Sequence, residues 1–140
     1  MSFLLDTNVI SEMRRPERAA AGVLNWMESR ADGTLWCSVI SILELEMGAL
    51  QALRRDRLKG TMLRTWLEDR VLPRFGDRII PIDTAVALKC AALHVPDPKP
   101  DRDAYIAATA LVHDMTVVTR NTRDFATSGV RLFNPWEQSE

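Results

Sequence analysis

Four stretches of this 140-residue chain place carboxylates or amides where the surrounding pattern calls for apolar side chains. Asp6 follows directly on the apolar run Phe3-Leu4-Leu5 and precedes Thr7-Asn8-Val9-Ile10. In the helix-period stretch 38–53, Glu44 is in line with Ile40 and Gly48 and close to Ser41 and Met47, whereas Glu46 falls nearer Ile42, Leu43 and Leu50. Periodicity does not choose between them, and both can be solvated surface acids. In "RDAYIAATALVH" (102–113), Asp103 shares a helical face with Ile106, Ala107, Ala110 and Leu111. Asp103 can be an N-cap or first-turn acid held by the helix dipole. If Asp101, which follows Pro98 and Pro100, takes the cap, Asp103 is free to point into a site. Beyond the β-branched run Thr116–Thr119 come Arg120, Asn121 and Asp124, and either of the last two can cap a turn.

If these acids meet, the chemistry is constrained. Two carboxylates about 4 Å apart repel by about 4 kcal/mol at an effective dielectric of 20. Such a group must protonate or hold a cation. An all-oxygen donor set suits Mg²⁺ or Mn²⁺ rather than zinc. A hard divalent ion with open positions suits phosphodiester hydrolysis. His94 and His113 have no partner at metal-ligand spacing, and neither do Cys37 and Cys90, which read as free buried thiols.

The elements that must position these groups follow from the apolar patterning. Short runs at Phe3–Leu5, Leu35–Ser38, Arg78–Ile82 and Thr116–Thr119, with a weaker one at Val130–Phe133, have strand length. Between them, helical spacing is expected over Glu17–Arg30, Val39 to about Arg54, Asp56 to about Val71, Thr84 to about Leu93 with Asp83 as N-cap, and Arg102–His113. Alternating strands and helices imply an α/β fold of three layers, a mainly parallel sheet of four or five strands flanked by helices on both faces. Ligands bind such sheets beyond the carboxyl ends of the strands, where Asp6 falls. Gly48 inside a helix costs about 1 kcal/mol relative to alanine. Close packing beside the glutamate is the expected reason.

The length fits one domain with a real core, and 46% hydrophobic with 26% charged residues is a globular balance. A net charge of −1 argues against coating nucleic acid by bulk positive charge. No apolar run approaches the ~20 residues of a membrane span, and the N-terminus lacks the pattern of a signal peptide. A soluble cytoplasmic protein is the expectation.

"LLDTNVIS", "ELEMG" at 44–48, "DAYIAATALVH" at 103–113 and "VVTRNTRDF" at 117–125, in that order, resemble the PIN-domain nucleases, most closely the VapC and FitB-like toxins of bacterial type II toxin–antitoxin modules. "FNPW" at 133–136 resembles the FitB-like branch. The resemblance runs nearly end to end and implies a single PIN domain over 1–140 with Mg²⁺- or Mn²⁺-dependent endoribonuclease activity. It implies cleavage that leaves a 5′-phosphate and a 3′-hydroxyl. It puts the family's acids on Asp6, Glu44 and Asp103 as metal ligands, and makes Glu46 structural. The fourth position, often Asp in the family, is Asn121 here, and Asp124 can supply the charge. Thr7, Asn8 and Thr119 match supporting polar positions that orient carboxylates and waters.

RNA approaching an acidic site needs flanking cations, for which Arg14, Arg15, Arg18, Arg102, Arg120 and Arg123 are candidates. No basic pattern interleaved with aromatics, of the kind that stacks bases, is present. The amphipathic stretch 54–75 offers an apolar helical surface, with Trp26, Trp36 and Trp66 as core or interface residues. That surface suits a partner's helix or a second copy. By resemblance the partner is a small DNA-binding antitoxin of the VapB or FitA type, in a homodimer or hetero-oligomer, its C-terminal segment placing an arginine among the acids. Two other readings are a PIN nuclease of RNA processing or DNA cleavage without a toxin role, and a non-catalytic partner-binding domain. The intact Asp6, Glu44 and Asp103 set weighs against the second of these, and an antitoxin frame just upstream would weigh against the first.

Overall fold

The computed structural model describes residues 1–137. Five short strands form one sheet: β1 (Phe3–Leu5), β2 (Leu35–Ser38), β3 (Ile79–Ile80), β4 (Thr116–Val118) and β5 (Leu132–Phe133), in the order β3-β2-β1-β4-β5. Every pairing is parallel. Both faces are covered, which explains why β1 is apolar at every position. Phe3 and Leu5 pack on one face with Val23, Trp26, Leu67 and Phe75, while Leu4 packs on the other with Ile106, Ala107, Val117 and Phe125. This is the period-2 alternation of a strand buried on both sides.

The first face is covered by α1 (Thr7–Glu12), α2 (Ala21–Glu28), α4 (Arg57–Trp66) and α5 (Leu72–Phe75). The second is covered by α7 (Asp101–His113) and α8 (Thr122–Phe125), with α6 (Thr84–Leu93) packed on α7 through Val86, Cys90, Ala104 and Ala108. α3 (Val39–Arg55) leaves β2 with the Ser38 hydroxyl accepting from the Ile40 N–H at 3.0 Å. Asp56 ends α3 and caps α4 through the Lys59 N–H. Asp83 caps α6 through the Val86 N–H at 2.9 Å, as its sequence implies. Both cysteines are free and buried, and burial pushes the Cys37 thiol up to about 12. No described helix is long and apolar enough to cross a membrane.

Several expected boundaries move, each for a local reason. β3 is two residues rather than the expected run 78–82, because a tight turn occupies Gly76–Arg78 and Pro81 has no N–H for the ladder. The expected strand 130–133 pairs only over Leu132–Phe133. The helix expected from Glu17 begins at Ala21. Pro16–Arg18 is a separate turn, and the Glu12 carboxylate takes the Ala20 N–H at 2.8 Å, holding the chain extended there. The helix expected over 56–71 widens into a π turn at Leu67–Val71, where Pro73 has no N–H to return to the preceding turn. α7 starts at Asp101 with Pro100 at the cap position, so neither Asp101 nor Asp103 caps it.

The expectation for Gly48 is overturned. Nothing lies within 4 Å of where its Cβ would be. The tight glycine is Gly60, whose Cβ would sit 2.5 Å from the Leu53 backbone nitrogen across the α3–α4 turn. Opposite signs follow for the two alanine substitutions in urea titration. Gly60→Ala should destabilise by about 1–3 kcal/mol, and Gly48→Ala should stabilise by about 1 kcal/mol. Equal effects would contradict this packing.

Candidate active site

In this strand order the chain leaves β1 toward β2 on one side and finds β4 on the other, so the C-terminal ends of β1 and β4 border a topological switch point. Leu5 is in register with Val118, which sets the next residues, Asp6 and Thr119, side by side. The Asp6 N–H donates to the Val118 carbonyl at 2.9 Å, continuing the ladder one residue past the strand. Asp6 Oδ1 accepts the Thr7 N–H at 2.8 Å and so caps α1. Asp6 Oδ2 accepts the Thr119 hydroxyl at 2.7 Å, and the Asn8 amide lies 3.4 Å from it. Asp6 is only 6% exposed. Burial raises its pKa, the two strong hydrogen bonds oppose the rise, and the charges of Glu44 and Asp124 add to it.

Glu44 reaches the group from α3. The Thr7 hydroxyl donates to its Oε1. The Ser41 hydroxyl, fully buried, lies 2.9 Å from the Thr7 oxygen. Thr7 has one proton to give, so with Glu44 ionised Ser41 is the donor of that contact. Ser41 is the supporting residue that sequence reasoning passed over. Its signal was the i, i+3 spacing to Glu44 on one helical face. The Arg102 guanidinium lies 3.5 Å from Glu44 Oε2.

Asp103 sits in the first turn of α7, whose alanines Ala104, Ala107, Ala108 and Ala110 are buried against its neighbours. Its carboxyl is pushed up to about 6, first by burial and then by the charges of Asp6, Asp124 and Glu44. Acids from four separate elements therefore share one field. Among the described residues no three His, Cys, Asp or Glu side chains are grouped closely enough to hold a metal ion as they stand. Asp6 and Glu44 are turned instead to their own hydrogen-bond donors.

Asn121 and Asp124 divide the fourth position. Asn121 gives its N–H to the Thr119 hydroxyl at 2.9 Å, but its side chain caps nothing. Asp124, on α8, supplies charge felt at both Asp6 and Asp103. It borders a small crevice with Asp103 and Lys99. Asn8 receives the Arg120 N–H at 3.3 Å, and the Arg120 guanidinium lies over the Trp136 ring. Arg123 is exposed on α8, and Arg14, Arg15 and Arg18 border a hollow of about 220 Å³ beside α1. Glu46 pairs with Arg64 at 3.0 Å, outside the acidic group. His94 accepts the Lys99 N–H and faces Asp101, and His113 ends α7. Trp26 is core, Trp36 is partly buried, and Trp66 lines a groove of about 850 Å³ with Met13, Met62 and Arg70.

The raised carboxyls make a stability statement. Asp103 has a folded value of about 6 against 3.8 for the ordinary side chain, so the folded chain binds more protons across that interval. Stability falls as pH rises through the interval and stays reduced above it, the reverse of a salt-bridged aspartate. In chelator-treated protein, Asp103→Asn should raise the melting temperature above pH 7 and leave it unchanged well below pH 3.8. The same gain at both ends in differential scanning would contradict this field.

The family model described as "PIN domain" matches residues 3–128. Toxin FitB of Neisseria gonorrhoeae is 39% identical over 139 residues, covering 96% of this chain and 98% of that protein. VapC ribonuclease Y4jK of Sinorhizobium fredii is 37% identical over 140 residues, covering 96% and 98%. The crystal structure of FitAcB from Neisseria gonorrhoeae superposes with a TM-score of 0.87 at 38% identity, covering 97% of this chain and 99% of that one. With the parallel sheet, the acids at its switch point and a family match over most of its length, this chain belongs to the PIN-domain family.

Proposed function

We propose that residues 1–140 act as a single PIN domain, the toxin of a type II toxin–antitoxin module in the cytoplasm. Its activity is endonucleolytic hydrolysis of RNA phosphodiester bonds, dependent on Mg²⁺ or Mn²⁺ and inhibited by a cognate antitoxin. The observation that carries this reading is the shared field of Asp6, Glu44, Asp103 and Asp124. The only cation paired with any of them among the described residues is Arg102, half-exposed beside Glu44. The similarity to proteins named toxin and ribonuclease supports it.

The residues present fit a hard divalent cation. Their donors are carboxylate oxygens without a sulfur or imidazole among them, and burial, reinforced by the neighbouring acids, raises the pKa values of Asp6 and Asp103. Asp6, Glu44 and Asp103 would hold the ion, with Asn121 and Asp124 beside it. When bound, such an ion polarises the phosphoryl oxygen and makes water nucleophilic at neutral pH. The chain's own residues do the rest. Thr119 and the Thr7 N–H hold the Asp6 carboxylate to the strand end, and the Thr7 hydroxyl, backed by Ser41, holds Glu44. Asn8 ties the β4–α8 turn to α1 through the Arg120 N–H. Arg102, Arg120 and Arg123 provide cations for the RNA backbone.

The antitoxin, DNA-binding as in VapB or FitA types, would dock its segment in the groove beside Trp66, whose apolar Met13 and Met62 and charged Arg70 and Asp69 suit an amphipathic helix. The assembly would be a homodimer or a hetero-oligomer with that partner.

Cleavage of an RNA pool with Mg²⁺ or Mn²⁺ tests this reading. Asp6→Asn and Asp103→Asn should each lower the rate at least about 100-fold, roughly 3 kcal/mol of barrier, with the melting transition preserved. Thr119→Val should weaken Mn²⁺ binding about 10–100-fold, because it frees the Asp6 carboxylate. Equal cleavage by wild type and both Asn variants would sink the assignment.

A further inference from the structure

Gly48 lies in the interior of α3, exposed, with an ordinary helical backbone and open space where a side chain would be. Glycine weakens a helix at such a position, and no neighbour's approach requires it here. The space it leaves belongs to a crevice of about 240 Å³ that starts at the acidic group. Thr7 and Glu44 line the crevice, Leu45, Leu63 and Trp66 give it apolar walls, and Arg14 borders it. Ser11 and Arg14 also border the adjoining hollow of about 220 Å³, where Arg15 and Arg18 join them. None of Arg14, Arg15 and Arg18 takes part in an ion pair among the described residues. Of the carboxylates around them, Glu12 is committed to the Ala20 N–H, Glu17 favours protonated Arg14 by its charge, and Glu44 and Asp69 line hollows with Arg14 without pairing with it. The proximity of Arg15 and Arg18 works the other way, lowering the Arg14 pKa after burial.

We propose that this crevice is a nucleobase subsite: the base beside the scissile phosphodiester enters the space left by Gly48, against Trp66, while Arg14, Arg15 and Arg18 hold the phosphates of the neighbouring nucleotides. The inference rests on the ribonuclease reading and adds to it a direction for the strand and a point of base selection. Three features favour RNA over a protein segment. The crevice shares Thr7 and Glu44 with the reacting group, so its occupant lies next to the bond that breaks. Apolar and aromatic walls suit the face of a base, and the Ser11 hydroxyl suits its edge. Neighbouring guanidiniums without carboxylate partners match a polyanion.

The test compares wild type, Gly48→Ala, Gly48→Leu and Arg14→Ala on an RNA library of randomised sequence, with Mn²⁺, by sequencing product ends and measuring kcat and KM. Wild type should show a base preference at one position flanking the cut. Gly48→Leu should flatten that preference and raise KM about 10-fold or more, as loss of one stacked base implies. Gly48→Ala should do so partially, and both should keep the wild-type Mn²⁺ affinity and fold. Arg14→Ala should raise KM and reduce its salt dependence while keeping the base preference. An unchanged base profile and KM in Gly48→Leu would overturn the subsite. That includes the case in which this variant loses only inhibition by a protein partner, which would assign the crevice to protein. If wild type cleaves no RNA, or Asp6→Asn cleaves as well as wild type, the ribonuclease reading itself fails and the subsite falls with it.

Discussion

The pairing of two parallel strands, β1 with β4, is the constraint on which the rest of this site depends. Its register sets Leu5 against Val118 and therefore Asp6 against Thr119. The backbone there is fixed by a ladder hydrogen bond and by the apolar packing of Leu4, Leu5, Val117 and Val118, all fully buried. A carboxylate at that strand end is held by three things at once: the Thr7 N–H at the start of α1, the Thr119 hydroxyl and the core beneath. A shift of register by one residue would exchange the two faces of β1 and break both the core and the site. Fold and site are thus specified by the same contacts.

Around that anchor the protein assembles charges that oppose one another. Glu44 and Asp103 come from helices on different parts of the chain, and Asp124 comes from the short helix α8 after β4. Burial and mutual repulsion raise the Asp6 and Asp103 pKa values. The fold holds this arrangement against that cost through hydrophobic packing on both sheet faces and through hydroxyls that donate to the carboxylates. Concentrating negative charge without matched cations is unfavourable for stability and useful for recruiting a counterion, which is the trade made at many functional sites.

Much of this was legible in the residues. The apolar runs at 3–5 and 35–38 mark β1 and β2 with their observed bounds, and the capped segment after Asp83 marks α6, because strand length, alternation and capping chemistry are local signals. A strand end and an apolar helical stripe in a parallel sheet pointed to Asp6 and Asp103, whereas Glu44 was chosen over Glu46 only by the resemblance to PIN domains. Three things were not legible. Ser41 acts through Thr7, a contact made only when α1 and α3 pack together. Gly48, expected to be closely packed, is open, and the crowded glycine is Gly60, because whether a glycine is crowded depends on where the next helix returns. Pro100 occupies the cap position of α7 although two aspartates stand next to it, since capping depends on backbone angles that composition does not encode.

The amphipathic stretch 54–75 also became more definite in three dimensions. Its apolar residues are shared between the core, through Leu67, Val71 and Phe75, and a groove that Trp66 and Met62 leave open. Trp66 and Arg14 line both that groove and the Gly48 crevice, so the proposed partner and substrate surfaces adjoin at these two side chains.

Diffraction from crystals soaked in Mn²⁺, read at the manganese absorption edge, tests the central claim most directly. An anomalous peak in contact with the Asp6 and Asp103 carboxylates, with Glu44 turned toward it, is the expected result. A fully occupied manganese elsewhere on the molecule, with Asp6 and Glu44 still facing their present hydrogen-bond donors, would contradict it.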